Sequence, residues 1–344
     1  MAKLVTIVGG GLAGLTLGIG LRQRGVPVTV WEAGRYPRHR VCGEFISGEG
    51  QNSLARLGLL AALQDAGACS ALSAAFFSGT AKVAEHALPT AAWCISRWVL
   101  DDWLAREFQR LDGELRVGVR WTGEFGSGLV RASGRRVQPV ADGWRLFGLK
   151  VHARGVALDA DLELHFVPVG YVGLCRLAGG EVNLCGLFRS KTTVPGLAHH
   201  WRDWLGGPAG SVLHSRLANA HFDDESLCTV AGLCLQPQHA AHRHECCVGD
   251  SLTMIPPLTG NGMSMAFESA ELAIDPLARF SSGDLTWPQA QQEIAMACDQ
   301  RFATRLRWAG RLQRALFQAP ARATLLRLAA RSDWLWRGMF ARTR

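Results

Sequence analysis

The first thirty residues place the strongest restriction on the fold of this chain. Residues 3–34 read KLVTIVGGGLAGLTLGIGLRQRGVPVTVWEAG, in which an apolar strand runs into Gly9-x-Gly11-x-x-Gly14. An apolar helix follows the glycines, and a second strand ends at Glu32. Strand, glycine turn, helix, strand and terminal acid in this order predict a βαβ unit with a dinucleotide-binding fingerprint.

Each residue of the fingerprint has a physical role. Gly9 permits the tight turn, Gly11 lets the backbone approach a pyrophosphate, and Gly14 lets helix and strand pack closely. Glu32 lies 21 residues after Gly11, where a carboxylate accepts hydrogen bonds from ribose hydroxyls and disfavours a 2′-phosphate. The predicted cofactor contacts in this segment are Gly9, Gly11, Leu12, Ala13, Gly14, Glu32 and Ala33. The fingerprint alone does not distinguish NAD from FAD.

Four further segments resemble, in their order along the chain, the FAD-dependent monooxygenases of the para-hydroxybenzoate hydroxylase type. They are YPRHRVCGEFISGEG (36–50), ISRWVLDDWLARE (95–107), ASGRR (132–136) and VGDSLTMIPPLTGNGMSMAFESAELA (248–273). The first segment is most similar to the geranylgeranyl-reductase-like branch of that superfamily. The resemblance implies FAD as the cofactor of an α/β protein that has a Rossmann-like FAD-binding domain, an antiparallel β-sheet substrate domain and C-terminal helices.

The resemblance also assigns roles around the flavin. The aspartate of the Gly-Asp motif contacts the ribityl chain in that family, which implies the same for Asp250. The glycine loop before the helix lies against the pyrimidine end of the flavin ring, where a helix N-terminus stabilises the negative charge of the reduced ring. The further cofactor contacts implied are Arg40, Arg97, Gly249, Asp250, Pro257, Gly260, Asn261, Gly262 and Met263.

Cys42 and Glu44 are the candidate catalytic residues. In the reductase-like branch this cysteine lies near the flavin ring, so Cys42 is expected to position or protonate a substrate. Glu44 is expected to act as an acid if burial raises its pKa. The alternative is a buried thiol beside a carboxylate that pairs with Arg38 or Arg40.

The source of electrons is open at this stage. No second G-x-G-x-x-G follows a strand downstream. The family often has Asp-Gly, linked with FAD and pyridine nucleotide, where this chain has Ser133-Gly134. We therefore expect reduction by NAD(P)H that binds transiently at the surface, or by a protein donor.

The middle of the chain has the pattern of an antiparallel sheet. Strands are predicted at 162–168, 171–177 and 181–188, with a turn at Ala178-Gly179-Gly180. An apolar lining of a flavin-facing pocket is predicted for Trp93, Trp98, Phe76, Phe77, Phe166 and Phe188, with ordinary core packing as the alternative. The predicted domains are a discontinuous FAD-binding domain (1–70, 90–150 and 229–280), a substrate domain (71–89 and 151–228) and a C-terminal helical region (281–344).

The basic charge is concentrated at the C-terminus. From Asp299 to Arg344 the sequence contains eleven Arg and two Asp, a net charge of +9, against +8 for the whole chain. Apolar residues including Trp308 alternate with these arginines at helical spacing. Packing on the flavin domain is one interpretation; the other is a surface for anionic lipid or an acyl carrier protein. Nucleic acid is not predicted, because no groove-reading motif accompanies the charge.

Composition and hydropathy also bear on metal binding and on location in the cell. Ten cysteines lack metal-ligand spacing, so no metal site is predicted. No apolar run reaches the length of a membrane span, and no signal peptide is evident. We expect a cytoplasmic protein, with a peripheral position at a membrane as the alternative.

The predicted function is FAD-dependent hydroxylation or epoxidation of a small apolar or aromatic molecule. The main alternative is flavin-dependent ene reduction of an isoprenoid or polyene. A non-catalytic flavin-binding scaffold is a third reading. Halogenation is less favoured, because no W-x-W-x-I-P segment is present.

Overall fold

The computed structural model describes residues 2–135 and 143–343, which fold around two β-sheets. The last residue of the ASGRR segment lies outside this described part. The strands are β1 Val5–Val8, β2 Val28–Glu32, β3 Phe45–Ile46, β4 Cys69–Ser78, β5 Ala81–Cys94, β6 Glu114–Val117, β7 Leu129–Arg131, β8 Arg145–Arg154, β9 Leu162–Val167, β10 Gly170–Arg176, β11 Val182–Ser190, β12 His221–Leu233 and β13 Cys246–Cys247. The helices are α1 Leu12–Arg22, α2 Glu49–Arg56, α3 Leu60–Asp65, α4 Arg97–Arg110, α5 Trp201–Leu205, α6 Val212–Leu217, α7 Gly262–Ser282, α8 Trp287–Leu316, α9 Ala319–Arg331 and α10 Asp333–Arg342.

The first sheet is parallel and has the strand order β13-β7-β1-β2-β6. Val5 of β1 pairs with Val28 of β2, and α1 connects the two strands, which confirms the predicted βαβ unit. Almost every residue of α1 is buried, because the helix lies between this sheet and α7. A parallel sheet covered by helices accounts for the continuous apolar runs in its strands.

The second sheet has eight strands in the order β12-β8-β11-β10-β9-β4-β5-β3. Its neighbours are antiparallel except β4 and β9, and β9, β10 and β11 confirm the three strands predicted from the sequence. One face is apolar and is covered by α5 and α6, with Leu149, Val172 and Leu184 at its centre. The opposite face carries Lys150, His152 and their neighbours and contacts the 36–50 segment.

The C-terminal region, formed by α7 to α10, is helical, as predicted. A capping box starts α8, in which the Thr286 side chain and Gln289 satisfy each other's backbone groups. The end of α8 and α9 pack on the second sheet through Leu316 and Leu326, which are buried against Phe166. Among the described residues, no helix combines the length and the apolar character needed to cross a bilayer.

Candidate functional site

The glycine turn between β1 and α1 contains two crowded glycines and one open glycine. A Cβ atom on Gly9 would lie 2.3 Å from the carbonyl oxygen of Ala132, and one on Gly14 would lie 1.9 Å from the carbonyl oxygen of Gly9. Gly9 also has φ +115°, which favours glycine. A Cβ atom on Gly11 would meet no atom within 4 Å. The turn is therefore open at the N-terminus of α1, where a pyrophosphate would bind.

Glu32 ends β2 directly beside this turn. Its Oε2 accepts a hydrogen bond from the Gly10 amide at 2.8 Å, and its Oε1 accepts from the Gly34 amide at 2.6 Å and from Arg38 Nη1 at 2.5 Å. Burial opposes the charge, but Arg38 and the two amides outweigh it and lower the pKa of Glu32 to about 2. The carboxylate is therefore ionised at neutral pH, as an acceptor for ribose hydroxyls must be.

Asp250 lies between the N-terminal halves of α1 and α7. Its neighbour Gly249 has φ +61°, and a Cβ atom there would lie 2.8 Å from Ala13 Cβ; the Gly249 amide donates to Ser269 Oγ at 2.8 Å. Asp250 is exposed but lines a recess together with Arg135 and Arg243, and no group of the described residues donates a hydrogen bond to its side chain. The enclosing protein raises the pKa of Asp250 to about 6, although Arg97 and the arginine at position 135 act in the opposite direction. The hydroxyl groups of a polyhydroxyl chain would supply the hydrogen-bond donors that the Asp250 carboxylate lacks.

The glycine loop before α7 contacts the 36–50 segment and leaves the helix N-terminus open. Gly260 has φ +66°, and a Cβ atom there would lie 2.0 Å from the Phe45 ring. Gly262, the first residue of α7, is exposed, and a Cβ atom there would meet nothing within 4 Å. Asn261 is buried and its amide nitrogen donates to the Thr343 carbonyl oxygen. The Asn261 side chain is thus directed towards Thr343, and no part of Asn261 is exposed.

Two of the predicted arginines differ in their surroundings. Arg97 donates from Nε and Nη2 to the two oxygens of Asp101, at 2.6 and 2.8 Å, and Asp101 is fully buried. Arg40 is exposed and pairs with no carboxylate of the described part of the chain. The Arg97 guanidinium is therefore fixed in position, and the Arg40 guanidinium remains available for a phosphate.

These residues fit FAD. The side chains of Leu12, Ala13 and Met263 are buried, but their backbones belong to the first turns of α1 and α7, where amide groups have no helical partner. Ala33 and Pro257 are exposed at the ends of β2 and of the glycine loop. The cofactor crevice, defined here by Gly11, Glu32, Asp250 and Gly262, offers an open turn, an ionised acceptor, a second carboxylate and a free helix N-terminus.

Glu44 is buried at the boundary between the two sheets. Its φ is +60°, in the left-handed region, and none of its side chain is exposed. Oε1 accepts from the Arg97 amide at 2.9 Å and lies 3.6 Å from Lys150 Nζ, while Oε2 lies 2.6 Å from His152 Nε2. The expected partner Arg38 binds Glu32 instead. Because protein groups enclose the Glu44 carboxylate, any proton it transfers passes through these neighbours.

The network continues from Glu44 towards solvent in two directions. His152 Nδ1 lies 3.2 Å from Glu181 Oε2, and Glu181 is partly exposed. Burial opposes a charge on His152, but the hydrogen bonds to Glu181 and Glu44 raise its pKa. Lys150 Nζ lies 2.9 Å from His39 Nδ1, and burial together with the charges of Lys150 and His152 lowers the pKa of His39 to about 4. The pKa of His152 beside Glu44 is thus shifted towards the charged form, and that of His39 beside Lys150 towards the neutral form.

Cys42 lies beside this network, close to Glu44 and Arg97. The residue is half-buried; its thiol accepts a hydrogen bond from the Glu44 amide at 3.4 Å, and its carbonyl accepts from Asn183 Nδ2 at 2.9 Å. Burial raises the pKa of the Cys42 thiol, although the charge of Arg97 opposes the shift. The thiol is thus protonated at neutral pH.

The sequence interpretation missed His39, Lys150, His152 and Glu181. One signal was present in β8, where Lys150 and His152 stand two residues apart in an otherwise apolar strand and so share one face. Glu181 lies in a turn and His39 in a loop, so no periodic sequence pattern identified them as site residues.

The apolar wall is smaller than predicted. Phe166 and Phe76 lie on the face that meets the glycine loop, where Leu258 packs against them together with Tyr171 and Leu187. Two aromatic residues predicted to line the pocket lie elsewhere: Phe188 packs on the opposite face under α5, and Phe77 stacks on His165. Trp98 stacks on His39 at the surface, and Trp93 packs against the core of the first sheet. Strand alternation places neighbouring aromatics on opposite faces.

Known proteins match both the sequence and the fold. Residues 3–125 match the FAD binding domain family. The chain is 24% identical over 333 residues to conditioned medium factor receptor 1 of Dictyostelium discoideum; the match covers 82% of this chain but only 64% of the length of that relative.

Three solved structures share the fold over nearly the whole chain. The flavin-dependent brominase Bmp2 superposes with a TM-score of 0.74 at 16% identity, covering 99% of this chain and 93% of its own. PqsL, a probable FAD-dependent monooxygenase from Pseudomonas aeruginosa, gives 0.70 at 14% identity, with 94% and 98% covered. The myxobacterial chondrochloren halogenase CndH gives 0.69 at 18% identity, with 88% and 80% covered. The predicted fold class is confirmed: residues 3–125 match an FAD binding domain, and the chain shares the fold of these flavin-dependent proteins.

Proposed function

We propose that this protein is an FAD-dependent monooxygenase that hydroxylates or epoxidises a small apolar or aromatic molecule. Electrons come from NAD(P)H or from a protein donor. Bound FAD supplies the two-electron chemistry and the reaction with O₂, so that the protein has to bind, orient and exclude water.

The observation that carries the proposal is the double role of the glycine loop. Leu258 packs into the apolar wall formed with Phe166, Tyr171 and Leu187. Within four residues the same loop reaches Gly262, which leaves the N-terminus of α7 open. Leu316 and Leu326 of α8 and α9 cover the buried part of this wall. An apolar molecule at its half-buried edge, where Phe76 and Leu258 lie, would be beside the ring end of a flavin that occupies the cofactor crevice.

The residues around the crevice act through charge and position. The N-terminus of α7 favours negative charge on the ring. Arg97, fixed by Asp101, holds Glu44 through its backbone amide. His152 and Lys150 then lie close enough to compensate the negative charge of Glu44. The contacts from Glu44 through His152 to Glu181 provide a route by which protons reach solvent.

Ene reduction is the second candidate, and Cys42 is the observation that favours it. A protonated thiol on a half-buried residue close to Arg97 suits delivery of a proton to a double bond whose other carbon accepts a hydride. Cys42→Ser separates the two candidates, since oxygen insertion does not require this proton and ene reduction does.

The test follows turnover with and without oxygen. The protein is reduced anaerobically with NADH, NADPH or dithionite and mixed with extracts of apolar and aromatic compounds, then exposed to ¹⁸O₂ and analysed by mass spectrometry. The proposal expects substrate-dependent oxygen consumption and a product that contains ¹⁸O.

Other outcomes replace the proposal. A product formed without oxygen, and lost in Cys42→Ser, supports ene reduction. A halogenated product in parallel samples with bromide or chloride would assign to this chain the reaction named for Bmp2 and CndH. If the bound flavin is not reduced and no extract is converted to product, the result supports a non-catalytic flavin-binding scaffold.

A further inference from the structure

The arginines of the C-terminal helices divide into two groups. Arg301 and Arg305 bind the buried Glu268 and hold α8 on α7. Beyond Leu306 the exposed arginines have no partner among the carboxylates that the structure describes: Arg307, Arg311, Arg314, Arg327, Arg337 and Arg342.

Some exposed arginines in other parts of the chain are paired. Arg106 pairs with Asp102, and Arg110 and Arg116 each pair with a glutamate two or three residues away. Others, such as Arg24, Arg40 and Arg120, are exposed and have no carboxylate partner among the described residues. The C-terminal helices differ in that their unpaired arginines lie close together along the chain, between Arg307 and Arg342.

Two tryptophans lie among the unpaired arginines. Trp308 on α8 is 39% exposed, and the guanidinium carbons of Arg311 and Arg342 lie 5.9 and 5.3 Å from its ring centroid. The contact of Arg342 with Trp308 joins α10 to the outer side of α8. Trp334, at the start of α10, is 76% exposed, and Arg337 is exposed on the same face one turn further on.

The other face of α10 is used for packing. Trp336 stacks on His86 of β5 at 4.9 Å, and Phe340 is buried. The helix is therefore held on the protein by its inner side, which fixes the outward direction of Trp334. Because most of the Trp334 side chain is exposed to solvent, its apolar surface does not stabilise the fold of this chain.

We propose that Trp308, Arg311, Trp334, Arg337 and Arg342 form a surface that binds anionic lipid bilayers. Unpaired guanidinium groups meet the lipid phosphates, and the indole rings enter the interface between headgroups and acyl chains. Binding is peripheral. The charge alone would also suit an acidic carrier protein, but two exposed indole rings beside guanidinium groups match the polar and apolar layers of a bilayer surface.

The test uses the full-length protein and sucrose-loaded vesicles of phosphatidylcholine, with or without phosphatidylglycerol. We expect cosedimentation only with phosphatidylglycerol, weakened as added salt shortens the Debye length. Arg337→Gln with Arg342→Gln weakens binding about 25-fold, about fivefold for each basic residue near the surface. Trp334→Ala reduces the binding that remains at high salt.

Matched variants control for charge and exposure. Arg24→Gln with Arg120→Gln removes the same charge from exposed positions outside the C-terminal helices, and Leu72→Ala truncates a side chain that is 61% exposed on β4. Both controls retain wild-type vesicle binding.

Three results contradict the proposal: equal loss in the two arginine pairs, no salt-sensitive binding by the wild type, or binding to an acidic carrier protein without binding to vesicles. The assay requires neither substrate nor oxygen, so its outcome is independent of the proposed reaction.

Discussion

The Oε2 atom of Glu44 lies 2.6 Å from Nε2 of His152, and both side chains are buried. This contact connects the loop that leads into β3 with the middle of β8. The second oxygen of Glu44 accepts from the Arg97 amide, at the start of α4. One carboxylate therefore joins the cofactor segments to the antiparallel sheet.

His152 makes the stability of the protein depend on pH. Its pKa is raised in the folded protein, so its contribution is complete below the ordinary value of 6.5 and is lost as pH rises through the raised value. His152→Gln should lower the free energy of unfolding by about 1–3 kcal/mol below pH 6.5, with a smaller loss in alkaline buffer. Urea titrations over this range measure the difference.

His199→Gln is the control, because His199 is exposed on a loop. Its effect should be small at every pH. A loss in His152→Gln that grows towards alkaline pH would show that His152 is neutral in the folded protein.

Asp250→Asn should have opposite effects on the apoprotein and on cofactor binding. The raised pKa means that the folded protein disfavours the charged carboxylate above about pH 6, so the amide should raise the melting temperature of the apoprotein in neutral buffer. FAD affinity should fall about 10- to 100-fold, because hydrogen bonds to a charged acceptor are lost. Thermal melts and flavin fluorescence titrations measure the two effects; a destabilised apoprotein that binds FAD normally would contradict this role.

The two glycines at the start of α7 should respond differently to alanine. Gly262→Ala places its methyl group in open space, so the melting temperature should change little while the reduction potential of bound FAD shifts. Gly260→Ala combines φ +66° with a contact against the Phe45 ring and should destabilise the protein. Spectroelectrochemistry and thermal melts distinguish them; an unchanged potential with a large melting shift in Gly262→Ala would leave that residue a purely structural role.

The parts of the fold that depend on local pattern were predictable. The βαβ unit was evident because strand, glycine turn, helix and acid follow one another within 30 residues, and β9 to β11 because their alternation and turn are also local. The domain boundaries and the roles of individual site residues remain predictions.

The surroundings of Glu44 were not predictable in the same way. Lys150, His152 and Glu181 reach it through the pairing of β8 with β11, in which Asn183 lies opposite His152. A one-residue change of register would direct these side chains to the other face. The burial of Asn261 likewise depends on Thr343, the last residue but one, which is far away in sequence.

Gly14→Ala and Gly11→Ala separate folding from cofactor binding. A methyl group on Gly14 meets the Gly9 carbonyl oxygen at 1.9 Å and should cost about 1–3 kcal/mol of stability. A methyl group on Gly11 meets nothing and should leave the apoprotein as stable as the wild type. Equal destabilisation by both changes, in urea titrations without FAD, would mean that Gly11 serves packing as well.

The most direct measurement is a titration of the apoprotein with FAD, followed by flavin fluorescence, for the wild type and Gly11→Val. The open space at Gly11 predicts that the wild type binds one FAD noncovalently, releasing it on denaturation, while Gly11→Val keeps its melting temperature and binds none. FAD binding by Gly11→Val with wild-type affinity, or no saturable binding by the wild type, would contradict the placement of the cofactor between α1 and α7.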